Sequence, residues 1–215
     1  CDYFTDAIDY TQVKELETFE ESPLAGARAA HGEVRVNIQV VGFKKIKFYT
    51  LENVGAGNLS MPEQEMHTTA FWLHFPEAFL ARFPDLGPTE KQAGLTGLGN
   101  ALRAVAALLL MCDPRDLGVA ITESIAGSAQ SYEPNLYLYD NYPGGVGLSA
   151  PLHKMTDRLL RGAADLIAAC GCESGCPSCV GPPGEIGSRG KEVAMRILEQ
   201  LAGHARGPAL AATDS

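Results

Sequence analysis

The sequence lacks the features of several common protein classes. It contains no uninterrupted run of about 18 apolar residues, so no segment is typical of a membrane span. It begins Cys1-Asp2-Tyr3, with neither an initiator Met nor the basic and then apolar segments of a signal peptide. This start predicts a fragment of a longer protein that is neither secreted nor in a membrane, and the expected location is the cytoplasm.

Basic residues are also scarce. The chain has 17 Lys and Arg against 26 Asp and Glu, a formal charge of −9, whereas a domain that wraps duplex DNA is usually basic. The charges are unevenly placed, because residues 1–33 are strongly acidic and residues 34–51 contain no acid. Any contact with a polyanion is expected to use this short basic stretch, and the alternative is an ordinary solvated sheet face. The basic side chains in it are Arg35, Lys44, Lys45 and Lys47.

Alternating apolar and polar residues in the first half predict β-strands. Residues 34–40 put their four apolar side chains on one face, and Gly42 marks an expected turn or bulge before a partner strand. Residues 23–32, rich in small side chains, are interpreted as a connector. The expected strands are residues 13–19, 34–40, 45–51 and 66–75. Paired as neighbours, they predict an antiparallel β-meander of three or four strands.

Helical periodicity dominates the second half. Leu98, Leu102 and Val105 recur at helical spacing in the principal core helix, which ends before Asp113-Pro114. The expected elements are helices at residues 76–82, 95–111, 151–169 and 189–201 and short strands at residues 119–123 and 136–139. The predicted fold class is therefore α+β, an antiparallel β-meander packed on helices.

Composition divides the chain into three predicted parts. Residues 1–32 are an acidic segment and its connector, and residues 33–206 are the α+β domain. Residues 207–215 are small and polar, which is typical of a disordered tail.

Four of the six cysteines lie within ten residues, between the last two predicted helices. Cys170, Cys172, Cys176 and Cys179 are separated by glycine, serine and proline, a composition unlike that of a buried core. Four thiolates match the tetrahedral sulfur coordination of Zn²⁺ or of an iron–sulfur cluster. With every ligand supplied by the protein, no position is left for a catalytic water. The sequence predicts a four-cysteine loop with a structural zinc between the two C-terminal helices.

Two other chemistries stay open for the cysteine loop. A redox Cys-x-x-Cys motif would use Cys176 and Cys179 and would leave Cys170 and Cys172 without a role. An iron–sulfur cluster uses the same ligand type, and a Cys-Pro pair such as Cys176-Pro177 occurs in such sites. A thiol–disulfide redox domain or an iron–sulfur domain is therefore the alternative.

A glycine-rich run lies between a predicted strand and a predicted helix, where a phosphate can bind. Residues 143–147, Pro-Gly-Gly-Val-Gly, lack the Gly-Lys-Ser/Thr ending of a nucleotide-binding P-loop, so a structural turn is favoured.

Two histidines offer possible metal ligands in the first half. His67 and His74 have Glu63 and Glu65 nearby. Their spacing matches no familiar ligand motif, so a structural role is favoured over a metal site.

A longer pattern resembles a known family. Residues 138–148, Leu-Tyr-Asp-Asn-Tyr-Pro-Gly-Gly-Val-Gly-Leu, are followed by a helix and by the four cysteines with Pro177-Ser178. This order is similar to the zinc-binding C-terminal domain of the mitomycin repair factor A helicases, which are superfamily 2 DNA-repair helicases. Residues 44–50, 65–70 and 112–118 are similar to the same domain, and the resemblance extends from about residue 34 to 203.

The resemblance implies that two RecA-like motor domains, which carry the ATPase, precede this chain in the same polypeptide. The chain has neither Gly-Lys-Ser/Thr nor Asp-Glu-x-His, so this fragment is expected not to hydrolyse ATP or unwind DNA alone. ATP is expected only in the motor domains. The implied role is to pack on the motor and to help guide DNA, expected to be single-stranded.

The residues proposed for these roles fall into three groups. The expected zinc ligands are Cys170, Cys172, Cys176 and Cys179, the expected DNA contacts are Lys44, Lys45 and Lys47, and the expected structural loop is Asp140, Asn141, Tyr142, Pro143, Gly144 and Gly145.

Overall fold

The computed structural model describes residues 2–49, 52–123 and 132–202. In these ranges the elements are β1 Tyr3–Leu24, β2 Ala27–Lys47, β3 Asn53–Asn58, β4 Gln64–His74, α1 Glu77–Leu80, α2 Pro88–Leu110, β5 Leu117–Glu123, β6 Pro134–Asp140, α3 Ser149–Lys154, α4 Thr156–Ala169, α5 Pro183–Ile186 and α6 Gly190–Ala202. A 3₁₀ helix, Pro114–Asp116, precedes β5. The α+β class is confirmed. The tail expected at residues 207–215 lies outside the described residues.

Strands β1 and β2 form one long antiparallel hairpin. They pair from the turn to the open end, where Tyr3 is opposite Lys47. Ala25 and Gly26 between them have φ of 50° and 95°. Positive φ at both positions is the backbone of the type I′ turn, whose twist matches that of the strands it joins. The prediction of a connector at residues 23–32 is wrong, because this segment forms the closed end of the hairpin.

Of the turn or bulge expected at Gly42, the turn is wrong, whereas the pairing with β1 does shift register here, from Ile8 opposite Gly42 to Asp9 opposite Val40. Gly42 lies inside β2, opposite Ile8 of β1, so residues 34–40 and 45–47 belong to one strand and do not pair with each other. Glycine is required here for space, since an added Cβ would lie 2.8 Å from the carbonyl oxygen of Gly57 on β3. Strand β2 also runs without a break across the predicted domain boundary at residues 32 and 33.

The six strands form one sheet in which every pairing is antiparallel. The order is β1-β2-β4-β6-β5, and β3 pairs with β2 at the open end of the hairpin. Strand β1 at one edge also contacts β5 at the other, so the sheet curls around a small inner core. This inner core includes Val13, Val34, Val36, Trp72 and Tyr137. The other face of the sheet packs on the helices.

Helix α2 is the centre of the helical layer. It begins at Pro88, where the amide of Gly87 donates to Glu90 Oε2 at 2.9 Å, seven residues before the predicted start. An added Cβ on Gly94 would lie 2.3 Å from Val193 Cγ1, so glycine permits the close approach of α6. Within the described part of the chain, α2 alone is long and apolar enough to cross a membrane, but 56% of its most apolar window is buried inside the protein. It is therefore a core helix here.

The remaining elements agree with the sequence in type and differ in their bounds. The helix expected at residues 151–169 divides at Met155 into α3 and α4. Strands β4, β5 and β6 and helices α1 and α6 lie where strands and helices were predicted, whereas β3 and α5 were not anticipated.

Candidate metal centre

The four cysteines converge after the end of α4. Their Sγ atoms are 3.5 Å apart for the pairs Cys170–Cys172, Cys170–Cys176 and Cys172–Cys179, and 3.6 Å apart for Cys176–Cys179. A disulfide would measure about 2.05 Å, while sulfurs on one tetrahedral zinc, each about 2.3 Å from the ion, are about 3.8 Å apart. The spacing fits a single tetrahedral metal, and no pair is set apart as a redox pair would be.

Local backbone geometry closes this cysteine loop. The amides of Cys179 and Gly181 both donate to the carbonyl oxygen of Cys176 at 3.0 Å, which turns the chain back on itself. Gly175 has a φ of 125°, and an added Cβ there would lie 2.7 Å from the carbonyl oxygen of Gly181. The sequence therefore needs glycine at this position for the four sulfurs to meet.

Two polar side chains from neighbouring helices support the loop, and the sequence pattern did not identify either. Asn100 on α2 donates to the carbonyl oxygen of Val180 at 3.0 Å. Lys191 Nζ on α6 donates to the carbonyl oxygens of Cys170 at 2.7 Å and Cys172 at 2.5 Å, and lies 3.4 Å from Cys172 Sγ. With a metal bound, its ammonium would offset part of the negative charge of four ligating thiolates. The only sequence signal is a cation in the first turn of a helix, where the helix dipole disfavours it.

The loop also shifts the acidity of its thiols. Burial opposes the ionisation of Cys172, but hydrogen bonds with Cys170, Cys179 and Lys191 outweigh it and lower the pKa of Cys172 to about 6. A hydrogen bond from the amide of Ser178 lowers the pKa of Cys176. Burial raises the pKa of Cys179 to about 12. Two of the four positions therefore favour the thiolate, the form that binds metal, before any ion is added.

A buried carboxylate organises the glycine-rich run. Asp140 ends β6 with no exposed surface, and its Oδ2 accepts from the amides of Val146, Gly147 and Leu148 at 2.7, 2.9 and 3.2 Å. Thr69 Oγ1 on β4 donates to the same oxygen at 3.1 Å. Such converging amides are what a phosphate cradle would offer, and here Asp140 takes the place of the anion.

The other residues of this run tie it to its neighbours. Tyr142 Oη donates to Asp116 Oδ1 at 2.7 Å, and the amide of Asn141 donates to the carbonyl oxygen of Asp116 at 2.8 Å. The turn at Pro143 leads to Gly144, whose amide donates to the carbonyl oxygen of His67 at 2.7 Å. Gly145 has a φ of 71°, and an added Cβ would lie 2.6 Å from Thr69 Oγ1. The run is thus a rigid turn between β6 and α3.

The three lysines of the basic stretch lie at the open end of the hairpin. We call residues 3–10, 39–49 and 53–58 the hairpin arm, in which Gly42 is the one buried position among the described residues. Lys45 Nζ lies 5.4 Å from the centre of the Tyr3 ring, and Lys47 Nζ lies 3.9 Å from a Glu52 carboxylate oxygen. Strand alternation puts Lys45 and Lys47 on one face and Lys44 on the other.

The arm also exposes aromatic rings. Tyr3, Phe4, Tyr10, Phe48 and Tyr49 are between 39% and 102% exposed. The arm thus combines lysines with accessible aromatic surface, although the chain as a whole is acidic.

The structure does not bring His67 and His74 together. They are seven residues apart on β4, so their side chains point to opposite faces of the sheet. His67 Nε2 lies 3.5 Å from Glu65 Oε1 at the surface, whereas the buried His74 has its Nδ1 2.6 Å from Asn135 Oδ1. Glu63 accepts from Asn37 Nδ2 at 2.6 Å.

Comparison with known proteins points to one family. The family model described as "MrfA Zn-binding domain" matches residues 98–180, which include the Asp140 turn and all four clustered cysteines. A Bacillus subtilis (strain 168) protein, the uncharacterized ATP-dependent helicase YprA, is 36% identical over 200 residues, 93% of this chain and 26% of the helicase. The chain thus spans about a quarter of that helicase's length. The uncharacterized Methanocaldococcus jannaschii protein MJ1572.1 is 30% identical over 94 residues, 41% of this chain and 82% of that protein.

Solved crystal structures of the helicase MrfA also match this chain in sequence and fold. The crystal structure of the DUF1998 helicase MrfA bound to DNA is 35% identical, with a TM-score of 0.66, and the match covers 93% of this chain and 26% of that one. A further crystal structure of MrfA is 30% identical, with a TM-score of 0.60, and covers 91% of this chain and 24% of that one. Since the family model, a relative and the solved structures all match, the chain belongs to the family of MrfA zinc-binding domains.

Proposed function

We propose that the chain is the structural-zinc C-terminal accessory domain of an ATP-dependent DNA-repair helicase. The single observation that carries the proposal is the set of four Sγ atoms at one-metal spacing in a chain of which 93% matches part of an ATP-dependent helicase. The domain packs on the RecA-like motor domains of its own polypeptide and helps to guide DNA. It performs no reaction alone, and ATP binds only in the motor domains of this cytoplasmic enzyme.

In this proposal the zinc is held by Cys170, Cys172, Cys176 and Cys179. It joins the end of α4 to the segment that leads into α6, and supplies the cross-link that a loop of small residues lacks. Lys191 fixes the loop from outside by binding two of its carbonyl oxygens. All four ligands are protein thiolates, which suits a structural rather than a catalytic ion.

Metal analysis of the anaerobically purified protein tests this role. Native mass spectrometry should find a tightly bound zinc ion that Cys176→Ser loses and that the matched variant Cys112→Ser retains. Iron with acid-labile sulfide would replace the proposal with an iron–sulfur domain. A folded, metal-free protein with four titratable thiols would replace it with the redox alternative.

The hairpin arm is the proposed DNA contact. Tyr3 is the cross-strand partner of Lys47, so the two side chains share a face with Lys45. Lysines that pair with phosphates beside rings that stack on bases suit single-stranded DNA. Lys44 lies on the opposite face and would contact a strand that wraps around the edge of the arm.

Salt dependence of DNA binding by the full-length helicase tests the three lysines. Each phosphate contact on a single strand contributes about 0.7 to the slope of log affinity against log salt, so the triple change of Lys44, Lys45 and Lys47 to Ala should flatten the slope by about 2. Lys45→Ala with Lys47→Ala should account for most of this loss, and Lys14→Ala, on the same hairpin, is the matched control. An unchanged affinity and slope in the triple variant would remove the arm from the DNA path.

A further inference from the structure

A second group of metal-ligating side chains lies where the closed end of the hairpin meets α3. Glu20 on β1 and His31 on β2 are direct cross-strand partners, and His153 comes from α3. One ligand atom of each lies within 4.8 Å of the other two. We propose that Glu20, His31 and His153 bind a divalent transition-metal ion, best suited to Zn²⁺, at a site separate from the cysteine loop.

The distances within this triad suit an ion between the ligands better than direct contact. Glu20 Oε2 lies 3.7 Å from His31 Nε2 and 3.4 Å from His153 Nδ1. Both separations exceed the ordinary N–H···O hydrogen bond of about 2.7–3.2 Å. Ligand atoms about 2.0–2.2 Å from one tetrahedral zinc lie about 3.4 Å apart, close to what the triad shows.

The second ring nitrogen of His153 is already held. Its Nε2 lies 3.2 Å from Ser22 Oγ, and the same hydroxyl lies 3.4 Å from the carbonyl oxygen of Ala29. A metal-ligating histidine characteristically uses its other nitrogen in such a hydrogen bond, which fixes the ring and the tautomer. The arrangement leaves Nδ1 of His153 aimed at Glu20 and available to an ion.

His31 is a buried histidine whose hydrogen-bonding capacity is not fully satisfied by the fold. It is 6% exposed, and its Nδ1 has no hydrogen-bond partner. Burial and the neighbouring His153 lower the pKa of His31, and Glu20 opposes part of this shift. Neutral imidazole is the form that binds metals, and Nε2 of His31, which lies 3.7 Å from Glu20 Oε2, is the atom that faces the proposed ion.

The triad would leave the ion one open position. Three protein ligands do not complete a tetrahedron, and the side chain of Glu20 is 59% exposed, so water can reach the site. Bound there, the ion would connect β1 and β2 to α3, the helix that follows the Asp140 turn. The site thus differs from the cysteine loop in ligand type, in accessibility and in expected affinity.

Zinc titration of the full chain, with the zinc of the cysteine loop in place, tests the triad. Native mass spectrometry should show uptake of a second Zn²⁺ by the unaltered protein. Glu20→Gln and His153→Gln should each weaken that uptake by at least about 100-fold while the first zinc stays bound. The matched controls Glu17→Gln, on the same strand, and His67→Gln should leave it unchanged. Glu20 and Glu17 are exposed, so neither change is expected to unfold the chain.

Two results would overturn the proposal. One is saturation of the unaltered protein at a single zinc, and the other is a second zinc that Glu20→Gln and His153→Gln bind as tightly as the unaltered protein does. Cobalt distinguishes the sites independently. A second Co²⁺ should bind without additional thiolate-to-cobalt charge-transfer absorption, and an increase in that absorption would assign the second ion to cysteines instead.

Discussion

Two regions of this molecule are stabilised in different ways. One is the hairpin arm, and the other is the helical end, which consists of α2, α4, α6 and the cysteine loop. In the helical end, side chains from α2, α4 and α6 form one core in which Leu98, Leu102, Leu159 and Ile197 are at most 1% exposed. In the arm, strand hydrogen bonds join three strands on which almost every side chain reaches solvent. Regions of low local stability commonly carry binding surfaces. In the proposed function, the helical layer therefore supplies most of the folding stability and the arm supplies the contact with DNA.

The polar interactions follow the same division. Arg189 pairs with Glu90 at 2.7 Å, and Arg196 pairs with Asp85 at 2.7 Å, so α6 is joined to the start of α2 and to the segment before it. The arm has the exposed Lys47–Glu52 pair, whose 3.9 Å separation contributes little in water. Its lysines are therefore available for an external anion.

Loss of the proposed structural zinc should have the largest effect on stability, and it should destabilise the helical end without destabilising the arm. Zinc in small model peptides contributes roughly 10–16 kcal/mol, comparable to the stability of a whole domain. Cys176→Ser should therefore abolish hydrogen-exchange protection in α4 and α6 and leave exchange in the arm nearly as it was. Hydrogen exchange followed by mass spectrometry measures both regions in one experiment, with Cys112→Ser as the control. Equal loss of protection at both ends would contradict the division.

Cavity-forming substitutions should also destabilise the helical end more than the arm, although by less than loss of zinc does. Leu102 is fully buried in α2, so Leu102→Ala should lower the free energy of unfolding by about 2–5 kcal/mol. Ile46 is only partly buried in the arm, and Ile46→Ala should cost less than about 1 kcal/mol. Urea unfolding of the two variants gives both values. Similar losses would mean that the arm belongs to the same cooperative core as the helices.

The sequence predicted the parts of this fold whose signal is local. Helical spacing located α2, and four cysteines within ten residues located the cysteine loop, because each signal lies within one short stretch of sequence. The hairpin was misjudged because strands of 21 and 22 residues far exceed the usual length of about 5–6. Ala27 and Ala29 were predicted to lie in a connector, yet they are buried in β2 as part of the core that includes the helices.

The sequence also did not predict the polar side chains around the two sites, because their contacts depend on how distant elements pack. Lys191 reaches the cysteine loop only because α6 packs beside it, and Asn100 only because α2 passes behind Val180. The meeting of Glu20, His31 and His153 depends on the hairpin register and on the position of α3 together. Such contacts join residues that are distant along the chain, so no spacing rule indicates them.

The smallest expected effect concerns acid stability at the helical end. Asp85 accepts from the Arg196 guanidinium at 2.7 and 2.8 Å, and this hydrogen bond lowers the pKa of Asp85 from 3.8 to about 2. Because the folded pKa lies below the unfolded one, the ionised carboxylate favours folding above about pH 4, and this contribution is lost as the pH falls to about 2. Asp85→Asn should therefore melt slightly below the unaltered protein at pH 6, with the difference vanishing near pH 2. Arg196→Gln should remove the same pH-dependent increment, and the double variant should lose no more than either. A difference that stays constant across this range would show that Asp85 stabilises α6 by packing and not by its charge.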